Sequence, residues 1–98
     1  MPGFAIFNIK VKKPEEYKEY IKKVKPLAEK FGGDYIIRGG ETKVVEGKWI
    51  YPRTVVIKFP SYEKALECHN SSEYKSGWDL AKKTTKRHMQ VIEGFSIE

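Results

Sequence analysis

Apolar residues alternate with polar ones near both ends of the chain and recur at three- and four-residue steps between. From Phe4 to Val11 the period is two, with Ala5, Phe7, Ile9 and Val11 on one face and Phe4, Ile6 and Asn8 on the other. This predicts a first strand whose second face is also covered, because Phe4 and Ile6 sit where a one-sided sheet carries polar residues. Pro14, followed by Glu15 and Glu16, opens a helix. Its inward stripe is Tyr17, Ile21, Val24, Ala28 and Phe31, and Gly32-Gly33 stops it. Pro26 within the pattern predicts a kink or a separate final turn.

The centre of the chain, Tyr35 to Phe59, reads as a folded-back pair of strands. Tyr35 to Arg38 is short and ends at Gly39-Gly40, Glu41 to Gly47 continues extended, and Arg53 to Phe59 is the strongest strand pattern present. Pro60 ends it and Ser61 caps a second helix, with Ala65, Leu66 and His69 inward and Cys68 nearby. Ser71 or Ser72 caps a third helical stretch holding Tyr74, Trp78 and Ala81, weakened at Gly77. The last strand is expected over His88 to Ile97, with Met89, Val91, Phe95 and Ile97 on one face and a bulge at Gly94.

This order, strand-helix-strand-strand-helix-strand, is the α+β, ferredoxin-like βαββαβ arrangement with an antiparallel sheet and helices on one face. Ninety-eight residues make one domain. A chain this short gains from oligomerisation, and strands apolar on both faces predict a homodimer with its sheets back to back.

Net charge is +6, but the lysines are spread along the chain, and the densest cluster, Lys82-Lys83 with Lys86-Arg87, is too short to be a tail. It reads as a solvated surface. Arg53 to Phe59 lacks the aromatic signature of an RNA-recognition strand, which argues against nucleic acid. No apolar run approaches a membrane span and no signal-peptide core follows Met1, so a cytoplasmic location is expected. Cys68 is the only cysteine and forms no intramolecular disulfide.

Arg38-Gly39-Gly40, Val45-Glu46-Gly47-Lys48-Trp49, Arg53 leading into Val55 to Ser61, and Ser72-Glu73-Tyr74 together resemble domain-of-unknown-function family 1330. Pro14-Glu15 with Tyr17, and Gly32-Gly33, extend the resemblance over nearly the whole chain. It implies membership of the dimeric α/β-barrel superfamily, which includes small monooxygenases, decyclising enzymes and stress-response proteins. The resemblance therefore implies a dimer with a small-ligand cavity between sheet and helices more than any particular chemistry.

Candidate chemistry is sparse. His69 is the side chain whose ordinary pKa suits proton abstraction, and it is the expected catalytic base; the competing reading is a half-buried structural histidine. Arg38 and Arg53, at the ends of neighbouring strands, suit a carboxylate, the alternative being ion pairs with Glu46 or Glu73. Tyr74 and Trp78 are expected along the wall of the same site. The scattered His and Cys residues give no metal-ligand spacing, and no flavin or haem loop is present, so no cofactor is expected. Two readings follow: a cofactor-independent enzyme acting on a small organic acid or aromatic compound, or a non-catalytic ligand-binding or stress-response dimer.

Overall fold

A computed structural model describes residues 1–95. Strand β1 (Gly3–Val11) is followed by helix α1 (Pro14–Lys30), strands β2 (Asp34–Arg38) and β3 (Arg53–Phe59), helices α2 (Tyr62–Asn70), α3 (Ser72–Ser76) and α4 (Trp78–Thr84), and strand β4 (Thr85–Glu93). The sheet order is β2-β3-β1-β4 with every neighbouring pair antiparallel. This is the ferredoxin-like fold expected from the element order.

Strand alternation decides the two faces. Ala5, Phe7 and Ile9 stand opposite Ile57, Val55 and Arg53 on β3, and opposite Val91, Met89 and Arg87 on β4. Directly opposed residues share a face, so Ile9 lies in one row between Arg53 and Arg87. The helices cover this face, and the core between them is built from Tyr17, Tyr20, Val24, Leu27, Ala65, Cys68 and Tyr74. The opposite face carries Phe4, Ile6 and Val56 with Asn8 and Thr54. Among the described residues no helix is long and apolar enough to cross a membrane.

Several boundaries differ from the sequence pattern. Residues 41–47 form no strand; the whole stretch from 41 to 50 is exposed, with Val45 at 86% and Ile50 at 70%. Its extended pattern finds no partner, because the edge of β2 ends at Arg38 and Gly39 turns away with φ of 69°. The last strand begins at Thr85 rather than His88 and ends at Glu93. Phe95 is therefore exposed beyond the strand, while Ile97 lies outside the described residues. Gly94 is not a bulge: its N–H donates to the Pro2 carbonyl at 2.7 Å, and a Cβ there would collide with Phe4 and Pro2. The register shift lies instead in β2, between Tyr35 and Ile37.

Helix α1 runs through Pro26 as one assigned helix. The third helical stretch divides at Gly77 into α3 and α4. Ser61 and Ser71 act as the caps foreseen: each hydroxyl accepts from the backbone N–H three residues on, at 3.1 Å from Lys64 and 3.2 Å from Tyr74. Ser71 also donates to the Cys68 carbonyl at 2.7 Å, tying the end of α2 to the start of α3. Ser71→Ala is expected to lower unfolding free energy by about 1 kcal/mol. Guanidinium unfolding checks this, through a lower midpoint at unchanged slope.

Candidate functional site

Between the sheet and helices α1 and α2 runs a narrow cavity of about 40 Å³ whose polar wall is Tyr17, Tyr20, Tyr35, His69, Tyr74 and Arg87. Local structure sets its geometry. The Thr84 and Thr85 hydroxyls donate to the Leu80 and Ala81 carbonyls at 2.8 and 2.7 Å, and Lys12 N–H donates to the Thr84 carbonyl at 2.7 Å. These bonds fix where β4 starts, and two residues later Arg87 points onto the helix-covered face.

Arg87 is the centre of the site. One Nη donates to the Tyr20 hydroxyl and the other to the Tyr74 hydroxyl, both at 2.8 Å. Its guanidinium lies 5.2 Å from the Tyr20 ring centroid, 5.4 Å from Phe7 and 5.5 Å from Trp78. Among the described residues no carboxylate pairs with it. Burial works against its charge, but the two tyrosine oxygens more than offset this and its pKa is raised. The guanidinium is a fixed positive charge.

Its neighbours are neutral. Burial above all, with Tyr20 beside it, pushes the Tyr74 phenol well above its ordinary value, and burial pushes Tyr35 up to about 12. The Tyr74 phenol accepts from Arg87 and keeps its own proton, which among the described residues reaches the Met89 sulfur at 3.8 Å. The His69 ring lies 4.8 Å from that of Tyr74, and its Nδ1 is buried with no hydrogen-bond partner among the described residues. Burial, then the charges of Arg87 and Lys75, holds the imidazole below its ordinary pKa, leaving it neutral at neutral pH. Burial, with the Glu73 carboxylate, pushes the Cys68 thiol up to about 11, so it is no nucleophile at that pH.

The other sequence-selected residues divide between two openings. Arg38 and Arg53 line a groove against α1 that shares Tyr17 and Ile21 with the cavity. His69, Tyr74 and Trp78 line a recess on another side, which shares His69 and Tyr74 with the cavity. Neither arginine pairs with Glu46 or Glu73; Glu73 instead binds Lys30 at 2.9 Å. Arg38 stacks on Tyr35 at 5.6 Å and Arg53 on Tyr17 at 5.8 Å, while Trp78, 44% exposed, lies between Arg87 and Lys82. Among the described residues no group of His, Cys, Asp and Glu could hold a metal ion.

Arg87 was hidden in the lysine-rich run, where the sequence pattern reads as surface. The signal that exposes it is phase: once β4 starts at Thr85, Arg87 alternates with Met89 and Val91, the inward residues. Tyr20 sits beside the helical stripe and gains its role only through Arg87.

The domain of unknown function (DUF1330) family model matches residues 2–95. A crystal structure of a protein of unknown function from Rhodopseudomonas palustris is similar at TM-score 0.74 and 13% identity, covering 98% of this chain and 84% of that one. An antibiotic biosynthesis monooxygenase structure is similar at TM-score 0.54 and 14% identity, with all of both chains covered. At such identities these likenesses speak for the fold. None of the curated proteins matches the chain.

The depressed histidine gives a sign to the pH dependence. An imidazole whose folded pKa lies below 6.5 is protonated more readily in the unfolded chain, so its contribution to stability is present above 6.5 and falls as pH drops below that value. His69→Gln should flatten the fall in melting temperature on acidification; an unchanged slope would contradict the assignment.

Proposed function

We propose, for a chain that belongs to the DUF1330 family, that a small organic acid or aromatic compound binds with its acidic end in the cavity and that His69 can move a proton on it. One observation carries this reading. Arg87 presents a charged fork, held by two tyrosine oxygens and without a carboxylate among the described residues, on the wall shared with a neutral histidine. The two tyrosine oxygens take two of the five N–H donors of the guanidinium, so others remain for an anion. An anionic oxygen beside it pairs directly with that charge.

The chemistry follows from the protonation states. Neutral His69 accepts a proton from an acidic C–H or O–H of the ligand. The bonding pair stays behind as an enolate or phenolate, and its oxygen lies against Arg87. Without proton transfer, the same arrangement is a binding site for an acid, which is the second reading.

The protein is proposed to work as a homodimer, supported by the apolar face of the sheet away from the helices. Ile6, half-buried, and Val56, already buried, lie there, and the exposed segment carrying Val44, Val45, Trp49 and Ile50 comes beside Ile6 through Trp49 and Ile50. Asn8 pins the base of that segment: its amide donates to the Tyr51 carbonyl at 2.7 Å and accepts from Tyr51 N–H at 3.0 Å, and Tyr51 stacks on His88. Exposed apolar groups collected on one face mark an interface.

Light scattering at micromolar concentration should give about twice the 11.4 kDa of one protomer, and Val45→Asp with Trp49→Ser should shift it towards one. Calorimetry with benzoate and phenylpyruvate tests the site. Arg87→Gln should weaken both by about 1.5–3 kcal/mol, the scale of a charge-assisted hydrogen bond, while His69→Gln should leave affinity nearly intact. The wild type should also speed deuterium exchange at the phenylpyruvate methylene above the buffer rate, and His69→Gln should abolish that gain. Unchanged benzoate affinity in Arg87→Gln refutes the site; exchange that survives His69→Gln refutes the proton transfer alone.

A further inference from the structure

At roughly 10–15 Å³ for each water, the cavity of about 40 Å³ has room for about three, the size of a carboxylate group. Only the small end of a ligand fits beside Arg87. The adjoining groove is far larger, about 580 Å³, within the range of small-molecule sites. It shares Tyr17 and Ile21 with the cavity, so the two spaces adjoin.

Among the described residues the groove is lined by Arg38, Arg53, Lys18 and Lys22 and by no acidic residue. Lys18 and Lys22 reach Glu15 and Glu19 on their own helix at 3.4 Å, through exposed pairs worth little. Among the described residues the two arginines have no acidic partner. Among the described residues Arg53 Nε is buried with no hydrogen-bond partner, and its Nη2 reaches the Arg38 carbonyl at 3.5 Å. Its seat is built: the ring of Tyr17 lies 5.8 Å from the guanidinium, and Gly39, at φ of 69°, leaves space that a Cβ would take from Nη1. Two guanidinium forks on one groove exceed what a single carboxylate uses, and they match the doubly charged, three-oxygen end of a phosphate ester.

We infer that the groove binds a phosphate group, so that the ligand is a small phosphorylated molecule with its phosphate on Arg53 and Arg38 and its other polar end at Arg87. The bridging part rests on the cavity reading proposed above; the phosphate site itself does not. Phenyl phosphate, inorganic phosphate and benzoate, titrated into the full chain by calorimetry and by NMR of the arginine Nε–H signals, test it. Phenyl phosphate should bind and shift the Arg53 signal, and Arg53→Ala should weaken it roughly tenfold or more, as losing a charge-assisted hydrogen bond does. Arg38→Ala, at an exposed position, should act in the same direction and serves as the test if Arg53→Ala folds poorly. Lys10→Ala, outside the groove, should change nothing. No binding of either phosphate at millimolar concentration, or binding indifferent to both arginine variants, overturns the inference. Benzoate separates the two readings: its dependence on Arg87 alone bears on the cavity, whatever phosphate does.

Discussion

The fork of Arg87 on Tyr20 and Tyr74 is the contact on which the interior depends, because it joins β4 to α1 and α3 across the cavity. Taking a guanidinium out of water costs several kcal/mol unless its donors are met. Here two phenol oxygens and the faces of Phe7, Tyr20 and Trp78 meet it, and none of these carries a negative charge. Lysine offers one point charge where two separated oxygens must be reached, so the planar fork is what this geometry requires. Because both phenols accept from Arg87, their protons face other atoms, and the Met89 sulfur is a weak acceptor. Among the described residues the polar wall carries one fixed cation and no carboxylate. Such a wall suits an oxygen anion and discriminates against a cation.

The element order was legible because strand and helix periods are local properties, and β1, α1, β3 and the caps at Ser61 and Ser71 follow directly from them. What failed were features decided by a neighbour. Residues 41–47 have strand-like composition but no edge to pair with, and hydrogen bonding rather than propensity makes a strand. The start of β4 depends on Thr84 and Thr85 closing onto α4, a tertiary contact that no window of sequence displays. Starting the strand three residues late left Arg87 outside it, although the phase of Met89 and Val91 already puts Arg87 on their face. His69, Tyr74, Arg38 and Arg53 were selectable by residue type and position. Their division between two openings was not, because it depends on the lateral placement of Tyr17 and Ile21.

The two faces of the sheet carry different obligations. The helix-covered face spends its packing on an aromatic cavity with a charge in it, which is a poor way to stabilise a chain of 98 residues. The other face compensates only if it too is buried. Asn8 shows how the chain prepares for this, since its side chain satisfies both the N–H and the carbonyl of Tyr51 and so anchors a segment whose tip is apolar and exposed. A polar residue in the middle of an apolar face is thus the device that places Trp49 and Ile50 beside that face. The proposed dimer and the proposed ligand site thus draw on opposite faces of one sheet.

Register also sets the spacing of charge. Arg53 and Arg87 flank Ile9 in one row, two strand spacings or roughly 10 Å apart along the backbone. Between their guanidiniums stand Tyr17 and Tyr20, stacked with centroids 6.2 Å apart, each under one of the two cations. The order cation, ring, ring, cation keeps like charges apart and lets each be stabilised by a π face, without a carboxylate that would compete with a ligand. It leaves an aromatic strip with a positive fork at either end. A flat ligand of the kind proposed, lying along that strip, would meet apolar surface in its middle and charge at its ends, so the spacing of its two oxygen-bearing groups, more than its hydrophobic bulk, would decide its fit.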